Sequence, residues 1–247
     1  HLSLRRQRQM CIRDSSPVDD GLEKQILHFG NGTEPQGLDP HIVTGVPEHH
    51  LLISMCEGLT IANPKGGENL PGVAESWQIS EDGKTYTFFL NKAAKWSNGD
   101  QVVAEDFVWS WERILTPSLG SQYPDMLYYL EGAADFHQSK ISDFSLVGVK
   151  AVNDHELEVK LKNPTPFFIK LLSHYSTYPV HKKTVLQHGT IDDRNGQWTR
   201  PGNFVCNGPM NLKTWELNKQ IIVEKNPLYW DCHLYTSPSP RDVEESR

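Results

Sequence analysis

The hydrophobic positions of the chain change period sharply between residues 71 and 115. A half-buried strand candidate ends at Trp77, and an Asp82-Gly83 turn follows it. Thr85–Leu90 then alternates, the two-residue period of a strand with one buried face. A second turn falls at Asn98-Gly99-Asp100. Asp-Gly and Asn-Gly tolerate the positive φ of tight turns, so the pattern predicts a hairpin. From residue 103 to 115 the period lengthens. Phe107, Val108, Trp111, Ile114 and Leu115 recur along one helical stripe, and Pro117 stops the helix.

Shorter signals lie on either side. Residues 24–29 form a strand candidate stopped by Asn31-Gly32, and Pro35, Gly37 and Pro40 forbid regular structure up to His41. Residues 42–47 are an extended, β-branched segment closed by Pro47. Glu48 opens a helix with Leu51, Leu52, Met55, Cys56 and Leu59 on one face, and residues 63–72 read as loop. A helix is predicted between residues 122 and 138, with Met126, Leu127, Leu130, Ala133 and Phe136 on one face. Strands at 146–152 and 156–161 flank Asn153-Asp154-His155. A short helix is predicted at 167–172, and residues 185–187 end another. Residues 192–202 are loop, and 210–215 with 220–225 form a last hairpin. Trp77, Trp96, Trp111 and Trp230 fall within these patterns and are assigned to the core. Strands and helices alternate without a βαβ rhythm, which gives a mixed α/β class built of α+β lobes.

Composition narrows the class. The 247 residues hold 24 Lys and Arg against 31 Asp and Glu. The ends, residues 1–15 and 232–247, resemble translated adapter or cloning sequence and are set aside. They hold six Arg and four acidic residues, so the interior keeps 18 basic against 27 acidic side chains, a net charge of −9. That balance excludes a phosphate-tracking nucleic-acid binder, which needs a basic stripe. No run of ~18 apolar residues could span a bilayer. The Arg-rich start lacks the apolar core of a secretory signal, as expected if the true N-terminus has been replaced, and Cys11 lacks the hydrophobic stretch of a lipid-attachment site. Cys56 and Cys206, the interior cysteines, sit in apolar surroundings and are read as buried free thiols, with a disulfide as the alternative.

Motifs for catalysis fail on their context. Gly83-Lys84-Thr85 ends like a phosphate-binding loop, but the first glycine of that motif would fall at Gln78 and a strand follows. Gly30-Asn31-Gly32 meets Pro35 where a dinucleotide fingerprint needs glycine and a helix. His155-Glu156 opens like a zinc-protease helix, yet Val159 stands where the second ligand should be. The eleven histidines show no other metal-ligand spacing. No serine sits in the small-residue elbow of a hydrolase.

Several spaced elements together carry a family resemblance: Gly72-Val73-Ala74-Glu75-Ser76-Trp77, Thr87-Phe88, Ala94-Lys95-Trp96-Ser97 and Asp106-Phe107-Val108-Trp109-Ser110-Trp111. NGTEPQGLDPH precedes them, and NGPMNLKTW and VEKNPLYWD follow. Over residues 24–231 the chain resembles the periplasmic oligopeptide-binding proteins, the extracytoplasmic solute-binding proteins of family 5 that serve peptide ABC importers. Asn91 departs from the basic residue the family carries there.

The resemblance implies a truncated fold of the type II periplasmic binding protein kind. Residues 16–56 and 182–231 would form part of lobe I, and 57–181 lobe II, with strand 24–29 sharing a sheet with strand 220–225. It implies a monomeric periplasmic receptor, neither enzyme nor cofactor protein, that takes short peptides to the membrane subunits of an ABC importer. A dipeptide, a murein peptide or an oligosaccharide is the alternative ligand within the family, and a periplasmic peptide hydrolase the alternative from another class. In this half of such a receptor, Thr44, Gly45 and Val46 would pair with the peptide main chain, and Tyr123 and His174 would line the cleft. Residues fixing the peptide's charged ends would lie mostly outside this chain. A carrier of many peptides must bind what they share, the main chain, and strand addition does this without reading side chains.

Overall fold

The computed structural model describes residues 26–231. The chain divides in sequence between Glu34 and Pro35 into two units. In the first, residues 26–34 carry neither helix nor strand. The strand expected at 24–29 is therefore not formed over its described part, where Leu27 and Phe29 are exposed. The rest of that expectation, with residues 1–15 and 232–247, lies outside the described residues.

From Pro35 the chain runs through α1 (Val46–Met55), the short pair β1 (Thr60–Ile61) and β2 (Leu70–Pro71), then β3 (Ala74–Ile79) and β4 (Thr85–Leu90). Next come α2 (Ala104–Leu115), α3 (Ala133–His137), β5 (Val149–Asn153), β6 (Glu156–Lys160), α4 (Phe168–Leu171), α5 (Lys182–Gln187), β7 (Met210–Glu216) and β8 (Gln220–Lys225). The predicted hairpins form, and β3-β4-β6-β5 make one antiparallel sheet. Along β4, Tyr86, Phe88 and Leu90 are buried while the residues between them are not. That face, with Leu157 and Val159, meets Phe107, Trp111, Ile114 and Leu115 of α2. At the start of α2 the Asp106 carboxylate accepts from the Val103 N–H (2.9 Å) and from Trp96 Nε1 (3.1 Å), which satisfies an orphan amide and fixes a fully buried indole. Strand 220–225 pairs with β7 alone among the described residues.

The single helix predicted at 122–138 is broken. A 3₁₀ turn, Pro124–Leu127, is separated from α3 because Leu130 and Glu131 pair with the end of β6, the Glu131 N–H donating to Lys160 O at 3.0 Å. Gly132 follows with φ +69, which ends any helical continuity. The loop expected at 63–72 contains β2, and α1 starts at Val46, two residues early, because Pro47 suits a first helical turn.

The core falls into clusters that track the sequence. One holds buried residues from Leu59 to Leu172, and a second joins Leu38, Val43, Leu52, Met55 and Cys56 to Tyr175, Tyr178, Cys206 and Leu212. A third, smaller one holds Trp109, Val180, Val185 and Trp198. The chain passes from the second to the first at residues 56–59, and there it is tied down. Cys56 and Cys206 are disulfide-bonded, with Cα atoms 5.3 Å apart. The free-thiol reading is corrected here: both residues are buried as expected, but the chain folds back over a sequence separation of 150 to bring them together. Next to the bridge, the Glu57 N–H donates to Asn207 Oδ1 and Asn207 Nδ2 donates to Glu57 O, both at 2.9 Å. Among the described residues no cation pairs with the Glu57 side chain. Burial pushes its carboxyl up to about 8, against hydrogen bonds from Trp230 and Tyr229.

Two outcomes follow from this seam. A loop of this length makes the disulfide worth on the order of 2–5 kcal/mol, so Cys56→Ala/Cys206→Ala should lose that much stability in urea unfolding. Because the Glu57 pKa is raised on folding, its contribution is intact below about 4.5 and lost as pH rises towards about 8. Glu57→Gln should flatten that part of the stability–pH profile by on the order of a few kcal/mol.

Candidate functional site

The extended segment ahead of α1 is held from beneath by one buried ion pair. Arg113, on α2 and fully buried, donates Nη1 to Asp39 Oδ1 (2.9 Å) and Nη2 to Asp39 Oδ2 (2.6 Å). Two parallel bonds match the planar fork to the carboxylate. Burial alone would raise the Asp39 carboxyl, but the guanidinium holds it below the usual carboxylate range. Trp198 stacks 5.6 Å from the guanidinium carbon. His41 completes the group, its Nδ1 3.0 Å from Arg113 Nη1 and its Nε2 3.1 Å from Tyr178 O. A guanidinium and a carbonyl fix the tautomer: Nδ1 accepts and Nε2 donates. Burial and the Arg113 charge bring the His41 pKa down to about 4, so the ring is neutral.

Asp39 also turns the chain. Its carbonyl accepts from the Ile42 and Val43 N–H groups at 3.1 Å, and Oδ1 accepts from the His41 N–H at 3.0 Å. The backbone leaves this turn extended, Gly45 having φ −86 and ψ 156, and enters α1 at Val46. Any side chain at Gly45 would collide with the Glu48 carboxylate, whose Oε1 accepts from the Gln36 N–H at 2.6 Å.

The carbonyls of this edge are engaged and its amides are open. Val43 O accepts from Tyr175 Oη (3.0 Å), Thr44 O from Tyr123 Oη (3.5 Å) and Gly45 O from the His49 N–H (3.1 Å). The N–H groups of Thr44, Gly45 and Val46 meet no acceptor among the described residues. Thr44 is exposed, and Val46 is 65% exposed.

Tyr123 and His174 are brought to the same place, their rings 5.1 Å apart edge to face. His174 lies 4.3 Å from the Tyr175 ring. All five residues predicted for the site thus surround one exposed edge. Tyr123 is held by the turn at Pro124–Leu127 and His174 caps the turn Tyr175–Thr177, so two separate loops deliver them. Sequence patterns assign no site role to Asp39, His41, Arg113, His49 or Tyr175. Asp39 and Arg113 stand 74 residues apart with no pattern linking them, and Arg113 lies off the apolar stripe of α2, so nothing in the helical period marks it as buried.

The model of bacterial extracellular solute-binding proteins, family 5 Middle, matches residues 69–243. The chain belongs to this family. Among curated relatives, the periplasmic oligopeptide-binding protein OppA of Escherichia coli (strain K12) is 45% identical over 213 residues, 85% of this chain and 37% of that protein. Among solved structures, Haemophilus influenzae OppA in complex with RPPGFSPFR aligns with TM-score 0.75 at 39% identity, covering 81% of this chain and 38% of that one. The substrate-binding domain of an oligopeptide ABC transporter from Bacillus anthracis str. Ames aligns with TM-score 0.76 at 36% identity, covering 83% and 38%. The mixed helix and strand fold is therefore that of family 5 solute-binding structures. The chain spans a little over a third of the length of these relatives.

Within this family 5 fold the edge depends on the Arg113 pair. Arg113→Met leaves the Asp39 carboxylate buried without a counter-charge and should cost about 3–5 kcal/mol of stability in urea unfolding. Asp39→Leu combined with Arg113→Met should restore most of that loss, because the uncompensated charge goes with it.

Proposed function

We propose that the complete protein is a periplasmic receptor that binds short peptides and hands them to the membrane subunits of an ABC importer. The observation that carries this reading is the open amides of the exposed residues Thr44 and Val46, which the extended backbone through Gly45 turns to the same side. A peptide main chain supplies carbonyl acceptors whatever its side chains, so an edge of this kind suits a carrier of many peptides. The similarity to oligopeptide-binding proteins, one of them in complex with a nine-residue peptide, supports the same reading.

In this reading Tyr123 and His174 line the cleft beside the bound peptide. The receptor would be a monomer with one lobe at residues 57–181 and part of another at 16–56 with 182–231; the cluster from Leu59 to Leu172 supports the first of these. Closure of such lobes buries the ligand and gives the importer a form to recognise. The role is capture rather than turnover. Peptides should therefore be recovered intact after incubation with the complete protein, and hydrolysis products seen by mass spectrometry would identify a hydrolase instead.

Val46→Pro tests the edge directly. Proline suits the first helical position, and the extended Gly45 accepts a following proline, so the fold should tolerate the change while one amide is lost. In the complete protein, calorimetry with a tripeptide should show affinity reduced by ~1–3 kcal/mol. Binding as tight as in the parent would remove strand addition from the proposal.

A further inference from the structure

Two imidazoles flank one ring beside this edge. His49 on α1 lies 5.6 Å from the Tyr175 ring and His174 lies 4.3 Å from it. Both are half-buried. The Ser176 backbone N–H donates to His174 Nδ1 at 3.3 Å, with Ser176 Oγ at 2.8 Å. A backbone N–H can only donate, so in the neutral ring the proton sits on Nε2. That Nε2–H meets no acceptor among the described residues, and the His49 ring has no hydrogen-bond partner among them.

The charged and titratable groups around the pair are few. From α1 come Glu48, buried and bonded to the Gln36 N–H, and His50, 6.0 Å from His49. From the turn at 124–127 come Tyr123, its hydroxyl donated to Thr44 O, and Asp125, exposed, whose charge favours a protonated His174. From the turn at 175–177 comes Tyr175, its hydroxyl donated to Val43 O. None of these three elements carries Lys or Arg.

We propose that His49 and His174 form a subsite for an acidic side chain of the bound peptide, with His174 donating from Nε2 and His49 taking a proton from solvent as the carboxylate arrives. The assignment rests on the peptide-receptor reading above and adds which peptides are preferred. Burial, then His50, lowers the His49 pKa, and burial, then His49, lowers that of His174. Both rings are thus neutral near pH 7: nothing offsets burial and His50 at His49, and at His174 burial and His49 outweigh the Asp125 charge. A carboxylate supplies an anion and accepts the fixed Nε2–H in one step. A basic side chain would find the Glu48 carboxylate turned inward and bonded.

Calorimetry on the complete protein with trialanine carrying Glu or Gln at each position, in buffers of different ionisation heat, tests this. At one position Glu should be preferred over Gln by about tenfold near pH 6 and much less near pH 8, with uptake of about one proton. His49→Gln should abolish the proton uptake, and His174→Gln should lower the Glu preference at both pH values. Peptides that bind with equal affinity for Glu and Gln at every position would overturn the subsite alone. Failure of every peptide to bind would overturn the receptor reading with it. Independently, nitrogen-15 spectra of this chain should show the Nε2–H tautomer at His174, and an Nδ1–H tautomer would overturn the donor assignment.

Discussion

The buried pairing of Arg113 with Asp39 is the constraint on which the candidate site depends. A guanidinium with no exposure would be prohibitively costly unless both its charge and its donors were answered, and one carboxylate, one imidazole and one indole face answer most of them. The pairing fixes where the chain leaves α2's surface and turns, because Asp39 serves the ion pair with its side chain and the turn with its carbonyl. Everything downstream inherits that position, from the extended residues 43–45 to the start of α1. A loop with three open amides can stay exposed and defined only when it is anchored so firmly from behind.

The second organising feature is the seam at residues 55–57 and 206–208. Met55 O accepts from the Gly208 N–H at 2.8 Å, a disulfide follows, and the reciprocal Glu57–Asn207 bonds come next. These contacts lie where the chain passes between the two larger hydrophobic clusters, so they fix how one cluster hands over to the next. The uncharged Glu57 belongs to the same seam. It sits beside Trp230 with no cation among the described residues to stabilise its charged form, an arrangement that holds a proton more readily than it holds a charge.

These two features act on opposite sides of α1. The ion pair sets its beginning and the disulfide its end, at the C-terminal cap Cys56. The helix between them buries only Glu48, Leu52 and Met55. Its placement therefore comes from its two anchored ends more than from a broad apolar face, and the ring cluster of His49, Tyr175, His174 and Tyr123 is built on its first turns.

By itself the sequence determined the hairpin of β3 and β4, the amphipathic α2, the pair β5 and β6 and the last hairpin, because each is specified by periodicity and turn residues within a dozen positions. It also determined the family and, through the resemblance, a set of five residues that the structure brings to one edge. Tertiary structure alone decided the rest. The helix predicted at 122–138 broke because the end of β6 offered its middle a backbone partner. Residues 26–29 gained no strand although their composition allowed one. The disulfide required Cys56 and Cys206 to meet across 150 residues, and the Arg113 network required three residues from two distant segments. The physical reason is the same in each case: local patterns report which face a segment buries, whereas a pairing between distant groups exists only after the chain has folded and the buried charge or unpaired amide has found its partner.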